Sequence, residues 1–174
     1  VLAGALAVSG CMTQLLLGGG AIAATRLLGG PEWRHDAFAG ALFRAAAPAA
    51  GDVAISPYGA ASVLALAYTG ATNETARGMA AALALDDRGV EVAGVFQKIN
   101  RALVAAGADD GIKLAFSNSL WPKTGLKLER AFIDTAHRGF DADVIPVAMD
   151  ESGRARINAF IKDKTAGMIP ELIP

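Results

Sequence analysis

The sequence predicts an α+β fold in which helices dominate and a few short strands are set among them. Three observations predict it. Tyr58–Tyr68 is a helix-length run without a single charge, and the stretch from about Ser152 to Lys164 is amphipathic at helical spacing. Between them, Ile112, Leu114 and Phe116 alternate with Lys113, Ala115 and Ser117. Strict alternation marks a strand with one covered face, and a helix that is apolar all round is a buried one. The charge-free helix is therefore expected to run through the middle of the protein.

In chain order, the first charge is Arg26, so Val1–Thr25 is uncharged throughout. A run of that length could span a bilayer, but Gly18-Gly19-Gly20 weakens it as a helix. Val1–Gly10 fits better as the tail of a signal peptide's apolar region, ending in small residues before a cleavage point. Val8-Ser9-Gly10-Cys11 resembles a bacterial lipobox, in which small residues let a peptidase grip the backbone before a Cys that becomes lipidated. Cys11 is thus a lipidation candidate and a membrane tether. The alternative is an ordinary signal peptide or anchor with an incidental Cys. Both send the protein out of the cytoplasm, secreted or held in the cell envelope. No Met and no basic segment precede Val1, so the sequence is expected to begin inside the signal. Residues 1–11 are assigned as the signal remnant, 12–31 as a Gly/Ala/Leu tether and 32–174 as one folded domain.

Within that domain, Phe38, Leu42, Phe43 and Ala46 mark one helix face ending near Pro48. Asp52–Ile55 is predicted as a short strand. Ser56-Pro57 then starts the charge-free helix: a Ser oxygen accepts a free amide, and proline at the first position lacks one. Gly70 is expected to close it and Thr72 to cap the next helix. That helix carries Ala76, Met79, Ala80 and Leu83 on one face and stops at Asp86-Asp87. Another follows through Val92, Val95, Phe96, Ile99 and Leu103, then a turn over Gly107–Gly111 and the strand at Ile112–Phe116, broken by Pro122–Gly125. A helix over about Glu129–Arg138, a short strand at Asp143–Val147 and the amphipathic helix through Ile157, Phe160, Ile161 and Lys164, fading at Gly167, complete the order.

Composition excludes several functions. Apolar residues make up 53% and charged residues 19%, too apolar for disorder, and 16 basic against 17 acidic side chains give a net charge of −1. That balance, with Lys and Arg scattered, offers nucleic acid no attractive face. The single Cys precludes an internal disulfide, and His35 and His137 lie far apart without metal-binding spacing, so no metal or other cofactor is expected. Neither a GxSxG elbow nor a Ser/His/Asp set nor a phosphate loop is present, which argues against an enzyme.

Three stretches, in this order, resemble the signature segments of a single family. The first is Ile55-Ser56-Pro57-Tyr58-Gly59-Ala60-Ala61-Ser62 continuing to Gly70-Ala71-Thr72-Asn73-Glu74-Thr75. The second is Asn118-Ser119-Leu120-Trp121 with Phe132 and Phe140-Asp141-Ala142-Asp143. The third is Ile157-Asn158-Ala159-Phe160-Ile161, followed by Thr165-Ala166-Gly167-Met168-Ile169. The resemblance is to the serpins, which inhibit proteases, and spans about Asp36 to Pro174. It implies the N-terminal portion of a serpin domain: helices A to F with strands 2A and 1A of a large, incomplete sheet, the charge-free helix behind that sheet and the last helix across its front.

The resemblance further implies that a reactive loop engages a serine or cysteine protease, then inserts into the sheet as an extra strand once cleaved. It places that loop after Pro174, so the complete protein is expected to inhibit and the 174 residues alone to be inactive. A non-inhibitory binding module or a non-functional fragment is the alternative. Ser56 and Gly59 match the shutter region where the sheet opens. Gly59 stands where the family commonly has a second Ser, and helix capping alone could occupy Ser56. Asn118, Asn158, Thr165 and Gly167 match structural signature positions, and Phe160 replaces the usual Trp. Lys98, Arg101 and Lys113 are too few for a polyanion site and fit a solvated face. Asn73-Glu74-Thr75 is a chance sequon, and Met79, Met149 and Met168 are expected to pack in the core or at its edge.

Overall fold

The computed structural model of the chain describes residues 35–47, 51–85, 91–109 and 117–174. The signal remnant with Cys11, the tether, the stop at Asp86-Asp87 and the strand expected at Ile112–Phe116 all lie outside these residues.

Helix α1, His35–Ala46, buries Phe38 and turns Leu42 toward the core, whereas Phe43 is half exposed. Phe43 follows Phe38 by five residues, about 140° around the helix, and so leaves the stripe. Asp52–Ile55 takes no regular secondary structure and forms no strand, because no described residue pairs with it. Helix α2 runs Pro57–Tyr68 and buries Tyr58, Ala61, Ser62, Val63, Ala65 and Leu66. Its burial is not complete: Leu64 and Ala67, three positions apart, face out. The other sides are taken by α1 and by the helices α3, Asn73–Ala82, α4, Val92–Asp109, and α5, Arg130–Phe140.

Two closing signals act differently from expectation. Thr69, not Gly70, caps α2, its amide donating to Ala65 O and its hydroxyl to Leu66 O. What Gly70 supplies is room, since a Cβ there would stand 2.9 Å from Cε2 of Phe132. Thr72 occupies the N-cap position of α3 without a side-chain bond. That helix ends at Ala82, where the Leu85 amide reaches back to Ala80 O through a left-handed Ala84.

Helix α4 buries Val92, Phe96, Ile99 and Leu103 on one stripe and runs on through Gly107. One interior glycine costs about 1 kcal/mol, too little to stop a helix anchored this way. Strand β1, Asn118–Leu120, pairs in parallel with β2, Ala142–Val144, and a bridge between Lys123 and Val147 extends the ladder. Helix α5 between them runs two residues past the expected Arg138, and a left-handed Asp141 turns it directly into β2. Helix α6, Glu151–Lys164, opens on Asp150, whose carboxylate accepts from the amides of Ser152 and Gly153. The Ser152 hydroxyl donates to the same carboxylate, and that bond first, then the two amides, hold the Asp150 carboxyl below its usual range. Met149 and Met168 flank α6 and are exposed, so they do not pack as expected.

The core is split by the strand pair. Ala142 and Val144 of β2 point to the cluster made by α1, α2, α4 and α5, where Phe96 stacks on Tyr58 and meets Phe140 at a tilt. Ile145 and Val147, with Trp121, point to the opposite cluster under Ile157 and Ile161 of α6. Period-two alternation thus sends successive side chains to α2 on one face and α6 on the other, so the two helices sandwich the strands.

Candidate functional site

The residues singled out in the sequence fall into three local arrangements: the Ser56–Gly59 cap ahead of α2, Asn118 on the strand pair, and Asn158, Thr165 and Gly167 along and after α6. Ser56, with extended backbone ahead of α2, accepts a 3.2 Å bond at Oγ from the Gly59 amide. The two shutter-like positions therefore meet in a helix cap. The polar link from α2 to the strands lies one and a half turns further on, at Ser62. Its Oγ, buried to 2% exposure, accepts from Asn118 Nδ2 at 3.0 Å. The same amide group donates to Phe140 O at 2.8 Å, satisfying a carbonyl left open where α5 ends. Asn118 thus ties β1 to α2 and to the end of α5. Sequence reasoning missed Ser62, although one signal was present: it is the only small hydroxyl in an otherwise charge-free helix.

On the α6 face, Ser119 Oγ accepts from Trp121 Nε1 at 2.9 Å, and Phe160 meets the Trp121 ring edge-on at 5.2 Å. Phe160 thus occupies the contact its sequence position implies, packed on the strand layer. Asn158 reads the backbone of the segment that folds back along α6. Its Oδ1 accepts from the amides of Leu172 and Ile173, and its Nδ2 donates to Ile173 O at 2.9 Å. Arg154, one turn earlier, grips Glu151 and Glu171. Thr165 caps the helix, donating to Ile161 O and accepting from the Ile169 amide, and Gly167 takes φ +82, where a side chain would be strained. Lys164 Nζ lies 3.2 Å from Asp143 of β2 and 5.1 Å from the Phe160 ring centre.

Chemically the arrangement binds and holds; among the described residues no group of three His, Cys, Asp or Glu could hold a metal. The Tyr58 hydroxyl, raised above its ordinary pKa by burial, stays neutral and donates to Asn100 Oδ1. An open cleft of about 600 Å³ lies where α2, α4 and α5 meet, lined by Glu91, Gln97 and Arg138 among others.

A family model described as serpin (serine protease inhibitor) matches residues 34–174. The chain is 34% identical over 127 residues to leukocyte elastase inhibitor of Bos taurus, covering 71% of this chain and 33% of that protein. It is 31% identical over 124 residues to glia-derived nexin of Rattus norvegicus, covering 70% and 30%. Among solved structures it superimposes on mouse protein-Z dependent protease inhibitor with a TM-score of 0.72 at 19% identity, over 88% of this chain and 41% of that one. The chain spans about a third of the length of the curated relatives it matches.

Proposed function

Because the chain belongs to the serpin family, we propose that the complete protein inhibits an extracellular serine or cysteine protease by inserting a cleaved loop as a new strand. Residues 35–174 supply the scaffold for that step. The observation that carries the proposal is the sandwiched parallel pair: β1 and β2 are joined in parallel and lie between the apolar cluster that includes α2 on one face and that of α6 on the other. A strand layer held between two helical layers can gain a further strand's main-chain hydrogen bonds without rebuilding the core on either face. The uncharged Val1–Thr25 and the lipobox-like run ending at Cys11 support export and a lipid tether.

The test incubates the full-length gene product with elastase-, trypsin- and chymotrypsin-like proteases. The expected result is a one-to-one, SDS-resistant adduct with at least one of them, and none when only residues 1–174 are supplied. A full-length protein that yields no adduct and leaves every protease uninhibited overturns the proposal in favour of a non-inhibitory binding role.

A further inference from the structure

We infer that Asn118 and Ser62 form a register pin, a polar link whose main task is to fix where β1 sits on α2 rather than to add overall stability. Among the described residues the buried polar side chains are Ser62, Ser119 and Thr165. The first two lie at β1, one against each face: Ser62 beneath it bonded to Asn118, and Ser119 within it bonded to Trp121. The surroundings are apolar, with Ala61, Ala65 and Leu66 on α2 and Phe140 and Ala142 beside them. In such a setting an apolar pair of the same size would serve cohesion as well or better, whereas a lone polar pair penalises every other alignment.

The geometry shows how. Residues of one face recur every second position, about 6.6 Å along a strand. Sliding β1 by two residues would set Leu120 against Ser62 and strand a buried hydroxyl, and sliding by one would turn Asn118 to the α6 face. Both hydrogens of the Asn118 amide are used, one on Ser62 Oγ and one on Phe140 O. A single side chain therefore registers β1 against α2 and against the turn that launches β2. The consequence for inhibition rests on the function proposed above: a pinned pair stays in its starting register until a new strand arrives. Asn118 and Ser62 are positioning residues in that process.

The test measures hydrogen exchange on the full-length protein without any protease, so it reads the pin whether or not the protein inhibits one. Ser62→Ala and Asn118→Leu are compared with Ile99→Val, which loosens the core on α4 without touching the link. The pin predicts exchange about tenfold faster for Asn118–Leu120 and for the Ile145 amide that donates to Leu120 O, with the amides of Phe96–Leu103 changed less than about twofold. Ile99→Val should speed both regions alike. If the two variants behave like Ile99→Val, show no change, or both fail to fold, the link is a general stability element and the inference is wrong.

Discussion

The layers above and below the strand pair are built from different materials. Below, Phe96 lies 5.8 Å from Tyr58 and 5.4 Å from Phe140 at the centre of an apolar cluster drawn from four helices. Above, the buried side chains are Trp121, Val147, Ile157 and Ile161, and much of the remaining hold comes from Asn158, Thr165 and Arg154 gripping backbone and carboxylates. Apolar burial is lost only by exposing area to water, so the lower layer should open as a unit. Hydrogen bonds at a half-exposed face can be traded for water bonds one at a time, so the upper layer should open in parts. Under the strand insertion proposed above, the layer expected to open as a unit stands behind the sheet and the layer expected to open in parts stands in front of it.

Phe96→Ala attacks the lower layer and carries the largest expected effect. A ring at 1% exposure is removed from between two others, and such truncations cost about 3–5 kcal/mol. The urea midpoint of the full-length protein should fall accordingly, with α1, α2, α4 and α5 losing exchange protection together. A loss under about 1 kcal/mol, or one confined to α4, would break the claim that this cluster unfolds as a single body.

Asn158→Ala attacks the upper layer. It removes three hydrogen bonds to residues 172 and 173 from a half-buried side chain, an expected cost of about 1–3 kcal/mol. Here the pattern matters more than the size. Amides of 169–173 should exchange freely while those of Phe96–Leu103 stay protected. Equal loss in both regions would mean that the two layers are one cooperative unit.

The same contrast explains what could be read in the sequence. Ser56-Pro57 announced the start of α2 because capping is local: the bond from Gly59 to Ser56 spans three residues. The stripe Val92, Phe96, Ile99, Leu103 was equally legible, since helical spacing is enough to bring those side chains together. The predicted strand at Asp52–Ile55 failed because a strand is defined by its partner, which residue pattern alone does not supply. Gly70 resembled a helix stop, yet its reason lies in Phe132, sixty-two positions away. Within the candidate site, Asn118 and Asn158 stood out only through resemblance to a family. Ser62 stood only at the end of a family-like stretch with no role attached, because its partner lies 56 residues on and no local rule ties a helix serine to a distant asparagine.

The smallest effect sharpens the comparison at the seam between the layers. Lys164 at the end of α6 reaches Asp143 on β2, and both side chains are more than 40% exposed. Exposed pairs of this kind are worth about 0.2–1 kcal/mol, because solvent screens the attraction and two side chains must be held still. Lys164 also lies over the Phe160 ring, a contact that depends on its charge but not on Asp143. Asp143→Asn should therefore remove the ion pair and spare the ring contact, while Lys164→Gln should remove both and cost slightly more. The difference between Asp143→Asn and the unaltered protein should shrink as salt rises from about 0.1 to 1 M, where the screening length falls from about 10 to 3 Å. Differential exchange in the last turn of α6 is the measurement. An effect that persists undiminished in high salt would mean that Asp143 holds α6 by its shape or hydrogen bonding, and that this end of the upper layer is fixed more firmly than an exposed ion pair can account for.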